Sequence, residues 1–319
     1  MVTEKKQSEP ACDRESPMSA VDVVGTGFTV LDRIYADSLA VSSEDLGGSC
    51  GNVLISLAML QRNVAPVLSL GEDEVGIRLV VAFRHAGAET RYIRQTEHIR
   101  SPILAQRLHG PGVHTFEFRC PETSIDLPRY QPIDWDDVSR ALPAIKNCNV
   151  FYTDRLSGAI VDAMEAAADA GSIVYFEPST IGDKELFRRA VAAASVLKFS
   201  AERLATLAGQ VAPHDALFLI VTHGEAGLEV RRGAEKAWCK SYPAPELRDT
   251  CGSGDMVSVG VIDWLLTRRE RATRKISIDE FVVGIEAGQR LAAENCAYLG
   301  ARGIFRERGA EYARSVLRG

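Results

Sequence analysis

No apolar run in the chain approaches the roughly 20 residues that a membrane-spanning helix needs. The longest, such as Val257 to Leu266, are interrupted by polar residues, here Ser258 and Asp263, so a soluble protein with no membrane partner is expected. Positive charge is also short: the formal net charge is -6, whereas a nucleic-acid binder needs a basic surface to neutralise phosphates. The seven cysteines (Cys12, Cys50, Cys120, Cys148, Cys239, Cys251 and Cys296) include no Cys-x-x-Cys pair, and the six histidines show no metal-ligand spacing. Nothing in this pattern suggests zinc or redox chemistry, and an odd number of scattered cysteines predicts reduced thiols in a cytoplasmic protein. No Gly-x-x-x-x-Gly-Lys-Ser/Thr phosphate loop is present. The Gly25-Thr26-Gly27 turn has no third glycine, and Asp32 follows too soon to read a ribose, which argues against a dinucleotide-dependent dehydrogenase. There is no internal repeat. Met1 to Ala20 lacks the apolar core of a signal peptide and is rich in charge, Ser and Pro, so residues 1–19 are expected to be disordered, with Met18 an alternative start.

What remains suits a single enzyme-sized domain over residues 20–319, because 46% hydrophobic residues suffice for one large core. Short apolar runs that read as buried strands (Val21 to Gly25, Val67 to Leu70, Val150 to Tyr152, Ile173 to Phe176, Val196 to Lys198, Leu217 to Thr222) alternate with helical-period stretches. The helices predicted are Gly51 to Gln61, Val75 to Ala86, Gly158 to Ala170, Glu185 to Ala194, Asp255 to Arg268 and Ile278 to Leu299. Such alternation implies an α/β fold, a mostly parallel sheet covered by helices. Two stretches, Ile34 to Leu46 and Thr90 to Phe118, alternate polar and apolar residues instead, the second around a Gly110-Pro111-Gly112 turn. They predict a small antiparallel sheet, placed as a lid that excludes water from a site at the strand ends.

The chemistry concentrates in Arg248-Asp249-Thr250-Cys251-Gly252-Ser253-Gly254-Asp255, which runs straight into the apolar helix Met256 to Leu266. Two glycines at a helix start let bare backbone amides approach a ligand, and the helix dipole favours an anion there. Asp255 repels phosphate, so it makes a poor phosphate ligand. It makes sense as a base that takes the proton of a hydroxyl attacking a γ-phosphoryl group, while the amides of Gly252, Ser253 and Gly254 stabilise the charge in transfer. A plain helix cap is the simpler alternative for these eight residues.

The same segment resembles the C-terminal signature of the ribokinase-like (PfkB) carbohydrate and nucleoside kinases, Asp-Thr-x-Gly-Ala/Ser-Gly-Asp. Gly47-Gly48-Ser49-Cys50-Gly51-Asn52, continuing to Ser69-Leu70-Gly71-Glu72-Asp73-Glu74-Val75-Gly76, is similar to the N-terminal signature of that family. Val221 to Gly227 resembles its strand and turn beside the nucleotide phosphates, and Ala287 to Gly300 its adenine-side helix. The resemblance runs in order from Val21 to Gly300 and implies a three-layer ribokinase-like fold and an ATP- and Mg²⁺-dependent kinase acting on a sugar or nucleoside hydroxyl. It implies Asp255 as the base and Gly252, Ser253 and Gly254 as the anion hole. Asp32, Gly47, Gly48 and Asn52 fall at its acceptor-binding positions, Thr222 and Gly224 beside the ATP phosphates, and Asn295 near the adenine or ribose. Asp249 falls where the family often holds a monovalent cation such as K⁺, and a homodimer through the lid sheets is implied as well.

The chain departs from the pattern in two places. Where the family has Asn-x-x-Glu, with a glutamate that holds the Mg²⁺ water network, this chain reads Ser200-Ala201-Glu202-Arg203, and Glu202 comes one place early. Glu177-Pro178-Ser179 replaces the usual Asp-x-Asn. These departures motivate an alternative, a catalytically weak sensor that binds nucleotide or sugar without turnover. Phe116, Phe118 and Tyr92 are candidate stacking partners for a base, and Arg107 and Arg119 for a phosphate on the acceptor.

Overall fold

The computed structural model describes residues 21–36, 40–110, 113–204, 211, 215–268 and 273–319. The segment expected to be disordered, residues 1–19, and the Pro111-Gly112 tip of the predicted lid turn lie outside the described residues. In chain order the first half holds β1 (Val23–Thr26), β2 (Val30–Tyr35), β3 (Ser43–Gly47), α1 (Ser49–Met59), β4 (Val64–Pro66), β5 (Leu68–Gly71), α2 (Glu74–His85), β6 (Ile93–Thr96), β7 (Ile103–Gly110) and β8 (Val113–Glu117). The second half holds α3 (Trp135–Asn147), β9 (Val150–Thr153), α4 (Gly158–Asp169), β10 (Ile173–Phe176), α5 (Lys184–Ala193), β11 (Val196–Ser200), β12 (Phe218–Thr222), β13 (Leu228–Arg232) and β14 (Glu235–Cys239). Three helices close the chain: α6 (Ser253–Thr267), α7 (Ile278–Asn295) and α8 (Gly303–Arg318).

The main sheet has eight strands in the order β14-β13-β12-β11-β10-β9-β1-β4. From β4 to β12 every pair is parallel, and the β13/β14 hairpin adds an antiparallel edge. Side chains alternate between two cores, as the period of two demands. Val23, Tyr152 and Tyr175 enter the core shared with α1, α6, α7 and α8, while Val24, Phe151 and Val174 enter the core shared with α3, α4 and α5. The result is the parallel sheet covered by helices that the strand and helix rhythm predicted, in the three layers that the resemblance implied.

A second sheet of four strands, β3-β2-β7-β8, stands apart from the first. Its outer pairs are antiparallel hairpin-like ladders, as expected for the lid, and they are joined through a parallel β2/β7 pair, Leu31 opposite Ile103. The lid begins at Val30 and includes Asp32, whereas the stretch from Thr90 to Thr96 is not part of it. That stretch forms a short 3-10 turn and β6, which pairs with β5 in a two-stranded parallel sheet. The apolar run Val67 to Leu70 therefore leaves the main sheet, and Val64-Ala65-Pro66 takes the edge position, where a proline costs least because its missing N–H faces no partner.

Candidate active site

Helix starts show where the chain keeps backbone amides available. Asp73, Asp134, Ser157, Asp183 and Ser277 cap α2, α3, α4, α5 and α7 with their side chains. By contrast, α1 and α6 start after Gly48 (φ 79°) and Gly252 (φ 72°) with no side-chain cap. Both glycines are required by conformation and by space: a Cβ on Gly48 would lie 2.3 Å from Phe28 O, and one on Gly252 2.5 Å from Ala301 Cβ. No side chain covers the positive end of either helix dipole, although Gly51 N donates to Phe28 O and Ser253 N to Thr250 O, both at 3.2 Å.

The two uncapped ends meet. Asn52 Nδ2 donates to Asp255 Oδ2 at 2.8 Å, joining residues 203 apart in sequence. Both side chains are buried, and Asn52 Oδ1 has no protein partner. Burial, reinforced by the nearby Glu177 charge, pushes the Asp255 carboxyl up to about 6, against the pull of the Asn52 hydrogen bond and Lys198. Glu177, one residue beyond β10, is held in place from several sides. It pairs with the buried Lys198 of β11, accepts from Ser258 Oγ at 2.6 Å, and accepts from Tyr152 OH at 3.2 Å. A Cβ on Gly254 would lie 3.7 Å from Lys198 Nζ, which puts this ammonium beside the glycine loop. A lysine at that depth needs its glutamate, because an unpaired buried charge is expensive.

Asp32 of β2 lies under Gly47, where a Cβ would come within 1.8 Å of its Oδ2, so only glycine fits. Burial pushes its carboxyl up to about 8; Arg302 works against this, and Asp45 and Asp255 add to it. Asp32 Oδ1 is buried with no partner. Arg302, at the start of α8, donates to Leu46 O at 2.6 Å and pairs with Asp45 at 2.7 Å. Asp45 stands opposite Asp32 across the β2/β3 pair, and Ile34 follows on the same face. From Asp45 and Ile34 a cavity of about 510 Å³ runs out between the small sheet and α8, past Leu108, Arg302 and Phe305.

Residues at the carboxyl ends of the parallel strands, where open α/β sheets carry their ligands, face the same edge of the sheet. Asp154 follows β9 with 1% exposure, accepts from Phe28 N at 2.8 Å and pairs with Arg155 at 3.0 Å. Sequence reasoning missed it, although an acid just past an apolar strand was a readable signal. Thr222 closes β12, and Gly224 follows at φ 59° with open space where a Cβ would stand. Asn295 differs from expectation. It is fully buried in α7, where its Nδ2 donates to Ala301 O at 3.2 Å and its Oδ1 accepts from Ile304 N at 3.1 Å. Its amide is committed to the loop that carries Gly300 and Ala301, which leaves none for an adenine. Tyr92 is likewise buried in the core with α3 and α4 rather than on the lid, and Arg119 Nε donates to Ser124 O at 2.7 Å.

Glu202 is exposed in the turn after β11. Among the described residues no group of three His, Cys, Asp or Glu side chains could hold a metal ion, and Glu177 is committed to Lys198, Ser258 and Tyr152. Asp249 is buried, and its Oδ1 accepts from Cys251 N at 2.9 Å and its Oδ2 from Gly300 N at 2.8 Å. Burial alone would raise its carboxyl, but the hydrogen bonds and His114 outweigh this and hold it below the ordinary range. The six described cysteines are all buried. Among the described residues no helix is long and apolar enough to cross a membrane.

The lidded α/β sheet thus brings two glycine-started helix ends together around a buried carboxylate. The model of the pfkB family carbohydrate kinases matches residues 41–302, and the chain belongs to that family. Aminoimidazole riboside kinase of Salmonella typhimurium is 26% identical over 239 residues, covering 68% of this chain and 72% of that one. Ribokinase from Giardia lamblia superposes with a TM-score of 0.76 at 14% identity, over 93% of this chain and 99% of that one. Fructokinase with bound ATP from Xylella fastidiosa gives 0.73 at 20% identity, over 93% and 98%. The protein is thus a phosphotransferase of the carbohydrate-kinase type, with an alcohol group as acceptor.

Proposed function

We propose that the chain transfers the γ-phosphoryl group of ATP, taken as its magnesium complex, to a hydroxyl of a sugar or riboside held between Asp32 and Asp255. Asp255 accepts the proton of the attacking hydroxyl, and a carboxyl raised to about 6 is ionised at neutral pH yet still a competent base. The amides of Gly252 and Gly254 stabilise the migrating group; that of Ser253 contributes less, since it closes a turn on Thr250 O at 3.2 Å. Lys198 stands beside that loop as a buried positive charge, fixed by Glu177. Asp32 Oδ1 and Asn52 Oδ1, both buried without a protein partner, are matched by acceptor hydroxyls, and the Gly47-Gly48 backbone allows the ring to approach. Thr222 and Gly224 border the ATP phosphates.

The reading rests on the 2.8 Å contact between Asn52 and Asp255, which brings the acceptor-side and phosphate-side helix ends into one buried place. The cavity of about 510 Å³ that opens at Asp45, opposite Asp32 across the β2/β3 pair, has room for a second ring and favours a riboside over a free hexose. The small sheet ends in open strand edges at β3 and β8, which suit pairing with a second copy. ADP release measured across a panel of sugars and ribosides is the test. Turnover should appear with at least one acceptor, and Asp255→Asn should keep ATP binding while lowering kcat by about 10²-fold or more. Full activity in Asp255→Asn removes this mechanism, and binding without turnover on every acceptor leaves only the sensor.

A further inference from the structure

The surroundings of Asp249 do not fit a monovalent cation. Each of its two oxygens faces two nitrogen atoms: Oδ1 meets Cys251 N at 2.9 Å and His114 Nδ1 at 3.5 Å, and Oδ2 meets Gly300 N at 2.8 Å and Gln106 Nε2 at 3.5 Å. A carboxylate offers about four lone-pair directions. Here two backbone nitrogens bond the carboxylate at 2.8–2.9 Å and two lid nitrogens stand at 3.5 Å, whereas a cation needs a cluster of oxygens. The two nearer nitrogens belong to the loops that flank the phosphoryl site; the two farther ones belong to the lid, Gln106 on β7 and His114 on β8. Gln106 is 1% exposed, and the His114 ring is backed edge-on by Phe116 at 4.9 Å.

We propose that His114 and Gln106 of the lid sheet take the place of a monovalent cation at Asp249, so that lid closure and ordering of the Asp249–Asp255 loop are one event and turnover needs no K⁺. The inference rests on the reading of that loop as the phosphoryl cradle. His114 is a positioning residue: it acts through Asp249, whose hydrogen bond to Cys251 N fixes the turn that leads into Gly252. When the lid opens, both lid nitrogens withdraw and the carboxylate loses half of its partners. The loop then loosens without any ion having to leave.

The experiment compares initial phosphotransfer rates in KCl with those in choline chloride, for the parent, His114→Ala and His114→Asn, alongside melting temperatures in both salts. The parent should be equally active and equally stable in the two salts. His114→Ala opens the site to oxygen ligands from solvent: kcat in choline should fall by about tenfold, the scale of one polar contact to a carboxylate, and K⁺ should restore most of it and raise the melting temperature. His114→Asn, whose amide nitrogen sits close to where Nδ1 does, should behave like the parent. Stimulation of the parent by K⁺ overturns the proposal, as does a His114→Ala enzyme that keeps full activity in choline. The melting comparison reads ion binding without any acceptor, so it remains decisive even where the choice of phosphoryl cradle or substrate proves wrong.

Discussion

Lowering the pH should silence the enzyme at the point where Asp255 takes up a proton. A general base works ionised, so turnover is present above its folded-state pKa and is lost as pH falls through that value. With the carboxyl raised to about 6 by burial and Glu177, kcat/KM should be half-maximal at about that pH. Below it the rate should fall about tenfold per unit, whereas an ordinary aspartate would sustain activity down to about pH 4. Two substitutions move this limb in opposite directions. Asn52→Leu removes the donor 2.8 Å from Oδ2. A hydrogen bond to a charged group is worth about 1.5–3 kcal/mol, or about 1–2 pH units, and the midpoint rises accordingly. Glu177→Gln removes the repulsive charge and leaves Lys198 unopposed, so the midpoint falls. The assay is kcat/KM for phosphotransfer across the acid and neutral range. Since Asn52 also meets the acceptor in the proposed mechanism, the midpoint is the reading and the height of the curve is not. A parent limb at about pH 4, or one that neither substitution shifts, refutes the role given to Asp255.

Asp32→Asn should stabilise the protein at neutral pH while raising the acceptor KM. The Asp32 carboxyl is raised from 3.8 to about 8, so the folded state holds a proton that the unfolded state has released, and stability drops as pH climbs through that window. Removing the charge returns on the order of a few kcal/mol at neutral pH, which melting curves at acid and neutral pH will show; an unchanged or lower melting temperature at neutral pH contradicts it. Gly252→Ala should cost about 1–2 kcal/mol for the left-handed backbone and about 1–3 more for overpacking, because its Cβ would lie 2.5 Å from Ala301 Cβ. Denaturant unfolding with ATP affinity on the same samples checks this, and a variant of parental stability and affinity would show that the loop is not confined.

Local pattern carried much of the architecture. The apolar runs at Ile173 to Phe176 and Leu217 to Thr222 became β10 and β12, and the helices predicted from Asp255 and from Ile278 became α6 and α7 within a few residues. Three other elements were hidden for physical reasons. Pro143 lies inside α3 and masks a helix whose Asp134–Asp137 capping box was there to read, and α8 is interrupted by Gly309 at φ 81°. The β13/β14 hairpin sits on the polar edge of the sheet and turns at Gly233, so it lacks the apolar run of a buried strand. The parallel join of β2 to β7 follows from long-range register, which no short window contains. The same limit applies to the site. Its glycine turns were legible because turn chemistry is local, whereas the roles of Lys198, Gln106, His114 and Arg302 exist only through partners tens to hundreds of residues away.

The Arg302 contact with Leu46 O spans 256 residues. During synthesis the strand that carries Gly47 emerges long before its clamp, so β3 stays unbraced until the ribosome has translated residue 302. An unfinished polypeptide that ends before Arg302 can therefore hold every strand of its sheets, yet the β2/β3 pair still lacks its brace.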